Sequence, residues 1–66
     1  MKRRLDAGQV IVEFVHVGTA VRVSAMDPVT LTEVFMVGDG RLDRQVLERN
    51  VLRKLEYVMR KQGKID

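Results

Sequence analysis

Val10-Ile11-Val12-Glu13-Phe14-Val15-His16-Val17-Gly18-Thr19-Ala20-Val21-Arg22-Val23-Ser24-Ala25-Met26 is the stretch that decides the fold. Six of its first eight residues are β-branched or aromatic. Such side chains pack well on a pleated surface and lose χ1 freedom in a helix. Gly18-Thr19 supplies a two-residue turn with glycine in first place, the chemistry of a type II′ hairpin. Residues 10–17 and 20–26 are therefore expected as paired antiparallel strands. If Val17 and Ala20 flank the turn, Phe14 falls opposite Val23 and Glu13 opposite Ser24.

Working outward, Asp27-Pro28-Val29-Thr30 is a connection. Proline presets φ for a turn, and the Asp and Thr side chains can bond the local backbone. Residues 31–37 read as a third strand, ended by Gly38-Asp39-Gly40. After that the period changes. Leu47, Val51, Leu52, Leu55, Val58 and Met59 recur at spacings of three and four, the stripe of an amphipathic helix over residues 42–62. Asp39 or Asp43 is positioned to cap its start. Arg60, Lys61 and Lys64 suit its negative end, and Gly63 its stop. The expected fold is α+β: a three-stranded antiparallel meander packed against one C-terminal helix (βββα), as a single domain over 1–66. Residues 1–8 are expected to form a flexible arm.

With Met26 opposite Glu33 across the second loop, each face of the sheet can be read. One face carries Val10, Val12, Phe14, Val21, Val23, Ala25, Val34 and Met36, with His16 near its end. This face is expected under the helix. The other carries Glu13, Arg22, Ser24 and Glu33, but also Ile11, Val15, Val17, Met26, Phe35 and Val37. One helix covers only one face, and a contiguous exposed apolar patch usually marks a contact site. These six apolar residues are the candidate interface. Two sheets stacked through them, or two strands paired edge to edge, would give a symmetric dimer.

Sixty-six residues without cysteine exclude disulfides and thiolate metal sites, and oligomerisation is a common reinforcement at this size. Lack of cysteine and of a recognisable targeting segment points to the cytoplasm. The longest apolar run is far too short to span a bilayer, so no membrane partner is expected. The net charge of +3 is unevenly spread. Residues 5–40 hold one base against five acids, whereas residues 41–66 hold eight bases against four acids. The helical half is basic and the strand half acidic.

No catalytic constellation stands out. His16 is the lone histidine, which excludes a multi-histidine zinc site. A His16–Ser24–Asp27 grouping fails because Ser24 lies on the face opposite His16. Gly38-Asp39-Gly40 lacks the spacing of a dinucleotide fingerprint, and Asp39 would repel an anion. Asp27 and Glu33 flank one loop, as loop-end acids commonly do without binding a cation. No catalytic residue, metal ligand or cofactor is assigned, and the chain is read as not an enzyme. Arg44, Arg49, Arg53, Lys54, Arg60 and Lys61 line the helix, and Tyr57 beside Arg53 can stack on a base. With Lys2, Arg3 and Arg4 these form a candidate polyanion-binding set. The competing reading is a solvated face whose arginines pair with nearby acids.

Glu13-Phe14, Gly18, the run Val23-Ser24-Ala25-Met26-Asp27-Pro28 with Thr30, and Glu33-Val34 resemble a family of small uncharacterised bacterial proteins. Leu52-Arg53-Lys54-Leu55-Glu56-Tyr57-Val58-Met59 is the most specific part of the resemblance, which spans residues 12–61. It implies a stand-alone domain of unknown function, of alphaproteobacterial type, with the order strand–strand–strand–helix. It implies no site residues.

The function expected from these observations is a non-enzymatic protein-interaction module, homodimeric or bound to another protein. The alternative is a nucleic-acid-associated protein using the basic helix and N-terminal arm.

Overall fold

In the computed structural model, which describes residues 5–66, the chain forms β1 (Ile11–Val17), β2 (Ala20–Met26), β3 (Glu33–Asp39) and α1 (Arg44–Lys61). The strands make one antiparallel sheet in the order β1-β2-β3. Phe14 pairs with Val23, Glu13 with Ser24 and Met26 with Glu33, the registers read from the sequence. Gly18 takes φ of 60° while Thr19 does not, the pattern of a type II′ turn. The βββα order of an α+β fold is thus established.

The third strand starts two residues later than expected and ends two residues later. Its late start is explained by Asp27, which is 1 % exposed. The Asp27 carboxylate accepts from the Thr30 N–H at 2.9 Å and the Thr30 hydroxyl at 2.8 Å. Its backbone carbonyl accepts from the Leu31 N–H, and its own N–H donates to the Thr32 carbonyl. These bonds hold Leu31 at φ of 60°, a left-handed conformation that keeps Leu31 and Thr32 in the loop. At the other end Gly38 continues the ladder opposite Val21, and Asp39 opposite Ala20. A Cβ on Gly38 would lie 2.9 Å from Leu47 Cδ2, so glycine here lets the helix approach rather than ending the strand.

The helix is shorter than the expected 42–62. Asp43 is extended (ψ 135°) and its side chain accepts from the Gln45 N–H at 2.7 Å, which makes it the N-cap. Asp39 instead accepts from Arg41. At the C-terminus Gly63 takes φ of 73°. The Gly63 N–H bonds the Arg60 carbonyl and the Lys64 N–H the Met59 carbonyl, the paired bonds of a Schellman motif.

The core joins Val21, Val23, Ala25 and Val34 of the sheet to Leu47, Val51, Leu55 and Met59 of α1. Ile65, beyond the helix stop, is also buried. Val10, Val12, Phe14 and Met36 complete the helix-side face but are only partly buried. The helix packs chiefly over β2 and β3, which leaves the helix side of β1 half open. Lys2, Arg3 and Arg4 lie outside the described residues. Leu5, expected within the arm, packs against the core, and Asp6 anchors a turn by accepting from the Gly8 and Gln9 N–H groups.

Candidate interaction surfaces

Because side chains alternate along a strand, the outer sheet face follows directly from the register. Ile11, Val15 and Val17 of β1 lie at one side of it and Phe35 and Val37 of β3 at the other. All five are 46–68 % exposed, and Met26 is half-buried. Among the described residues no element covers this face. Arg22 lies between the two apolar groups, with its guanidinium carbon 4.3 Å from the centre of the Phe35 ring. That cation–π contact lays a flat, weakly hydrated group on the aromatic surface. The result is an apolar face with charge at its middle (Arg22) and at Glu13 and Glu33.

The edges of the sheet differ from one another. On the β3 side, Lys54 Nζ donates to the Phe35 carbonyl at 2.8 Å. The β1 edge receives no such contact from α1 among the described residues. Lys54 shows no local signal for this role, since the two residues are nineteen apart in sequence.

The structure divides the seven candidate polyanion-binding residues. At 100° per residue, Arg49, Arg53 and Arg60 share one flank of α1. There they line an open cleft of about 630 Å³ floored by Leu5, Leu52 and Ile65. Arg60 is engaged within it, to Glu56 at 2.8 Å and to the Asp66 carbonyl at 2.9 Å. Lys54 and Lys61 lie on the other flank, and Lys61 Nζ sits 5.6 Å from the centre of the Tyr57 ring. Arg44 covers Phe14 at 4.2 Å. Tyr57 is 61 % exposed, and the cation beside its ring is Lys61 rather than Arg53. The basic residues therefore form several small groups and not one stripe.

His16 is exposed and pairs with Val21 on the helix side, while Ser24 pairs with Glu13 on the outer face. Asp27 is buried in a polar chain: Thr30 Oγ1 lies 2.9 Å from Thr32 Oγ1, which accepts from Lys64 Nζ at 2.7 Å. This chain ties the C-terminal segment to the β2–β3 loop, a tie that local sequence patterns do not reveal. Among the described residues no group of three or more His, Cys, Asp or Glu side chains gathers as a metal site would require. Among the same residues no helix is long and apolar enough to cross a membrane. Hydrogen bonds from the Arg41 side chain, and then from its backbone N–H, hold that exposed carboxyl below its ordinary range.

Comparison with the curated proteins and with the solved structures gives no match. A family model, in contrast, covers nearly the whole fold, from the turn before β1 to the end of α1. It matches residues 7–62, and the chain belongs to the family described as Domain of unknown function (DUF6898).

Proposed function

We propose that the chain is a small non-enzymatic protein-interaction module that works as a homodimer and uses the outer sheet face as a surface for protein contacts. One observation carries the reading: Ile11, Val15, Val17, Phe35 and Val37 stand exposed on the sheet face opposite the one that α1 packs against. Exposed apolar surface of this extent, here two groups flanking Arg22, is characteristic of contact sites. The cysteine-free composition fits a reducing compartment, and we place the module in the cytoplasm of a bacterium of alphaproteobacterial type.

Sedimentation velocity across a concentration series tests the homodimer. The reading expects the mass of two chains at high concentration. A monomer throughout, with Phe35→Asp changing neither size nor thermal stability, overturns it.

Polyanion binding is the second reading, and the grouping of Arg49, Arg53 and Arg60 around one cleft favours it. Amide NMR titration with short DNA and RNA would show shifts on these residues that fade steeply with salt. An unmoved spectrum removes it.

A further inference from the structure

We propose that the open edge of β1 is the seam through which two copies of this chain join, strand to strand, into one six-stranded sheet. The inference rests on the homodimer reading above. It places the second copy at the edge and leaves the outer face for further contacts.

The two edges of the sheet are β1 and β3. The helix packs chiefly over β2 and β3, and Lys54 occupies the Phe35 carbonyl on the β3 edge. A charged side chain over an edge is a common way of blocking strand addition. β1, Ile-Val-Glu-Phe-Val-His-Val, carries no lysine, no proline and no glycine, and its ladder with β2 runs from Ile11 to Val17 without a bulge. Among the described residues Glu13 is the one charged side chain on this strand, and most of the devices that blunt a free edge are missing from it.

The turn fixes which backbone groups are on offer. A two-residue hairpin loop closes on a hydrogen-bonded pair, here Val17 with Ala20. Alternation then turns the N–H and C=O of Val12, Phe14 and His16 outward, away from β2. The same alternation carried across β2 turns the Phe35 carbonyl outward on β3, where Lys54 meets it.

Side chains select the register. A two-fold axis at Phe14 sets Phe14 opposite its own copy, Val12 opposite His16, Glu13 opposite Val15 and Ile11 opposite Val17. All seven residues overlap, and three pairs exchange about six backbone hydrogen bonds. Moving the axis to Glu13 would bring two carboxylates face to face, which is unfavourable. Moving it to Val15 shortens the overlap. Aromatic pairs across strands are favourable, and the Phe14 pair would cover the helix side of β1, where Val12 and Phe14 are only partly buried.

Hydrogen exchange of the full chain, read residue by residue by NMR, tests the seam. At high concentration the Val12, Phe14 and His16 amides are expected to exchange at least about tenfold more slowly than the Val12 and Phe14 amides of His16→Pro, which removes one outward N–H. That variant is expected to sediment as a monomer. A dimer of the unaltered chain in which these three amides exchange freely overturns the seam and leaves the homodimer standing. A monomer at every concentration overturns both. Should His16→Pro fail to fold, dilution of the unaltered chain supplies the monomer reference, and the same tenfold difference is expected.

Discussion

Lys54 crosses from α1 to bond the Phe35 carbonyl at 2.8 Å, and its ammonium also lies 5.9 Å from the centre of that residue's ring. One side chain thus occupies a backbone acceptor at the sheet edge and borders the exposed apolar face. The bond is exposed, so its net worth to the fold is small, below about 1 kcal/mol. Under the proposed strand-to-strand dimer its larger effect is on what the edge can pair with. Lys54→Met should change the urea midpoint little while opening the β3 edge. The expected outcome is assemblies larger than a dimer, seen by light scattering; an unchanged size distribution would show that Lys54 guards nothing.

Leu55 is fully buried between sheet and helix, whereas Leu52, three residues earlier, is only partly covered beside the Arg49–Arg53 cleft. Truncating a buried leucine removes transfer energy and leaves a cavity, at a cost of roughly 2–5 kcal/mol. A domain of this size has only a few kcal/mol to lose. Leu55→Ala should therefore populate the unfolded state heavily at room temperature, while Leu52→Ala should remain folded. Far-UV circular dichroism against urea distinguishes them, and equal losses would contradict this placement of the core.

The strand pairing was legible because two strong local signals agree. The period-two pattern of residues 10–26 sets the faces, and the Gly18-Thr19 turn sets the register, as Phe14 opposite Val23 shows. The β2–β3 loop was less legible because its conformation depends on a buried carboxylate. Asp27 and Thr30 read correctly as capping residues, but Leu31 is held left-handed by the hydrogen bonds of the loop and so cannot open the strand. The roles of Ile65 and Lys64 had no local signal for a related reason: their partners lie across the fold, and the stop at Gly63 gives no hint that the chain returns to the core. On the helix, seven candidate residues formed one set in sequence but several groups in space, since each step rotates the side chain by 100°. The outer face was readable as apolar. What meets it was not, because a single chain's pattern holds no register with a partner.

The Asp27 chain makes a graded prediction. Asp27→Ala deletes the acceptor of two bonds from Thr30 and leaves a buried loop partly unsatisfied, which costs about 1–3 kcal/mol. Lys64→Met deletes only the outermost bond, to Thr32, and should cost less, about 0.5–1.5 kcal/mol. Denaturant midpoints of the two variants should show the larger fall for Asp27→Ala. If Lys64→Met were the more damaging, the C-terminal segment and not the loop would be the main beneficiary of the chain.

Asp39 and Arg41 supply a prediction in pH. The Arg41 side chain, then its backbone N–H, bonds the Asp39 carboxylate and lowers its pKa from the ordinary 3.8. A carboxyl whose folded value lies below its unfolded one binds its proton more readily when unfolded. Its stabilising contribution is thus fully present above about pH 3.8 and is lost as pH falls through the lowered folded value. The pair is solvent-exposed, 88 % for Arg41 and 41 % for Asp39, so screening keeps the effect small and added salt should reduce it further. Carboxyl carbon shifts followed by NMR should place the Asp39 midpoint below 3.8, and Arg41→Ala, which keeps the backbone bond, should move it part of the way back. A midpoint that does not move in Arg41→Ala would show that the side-chain bond is not the dominant cause of the shift.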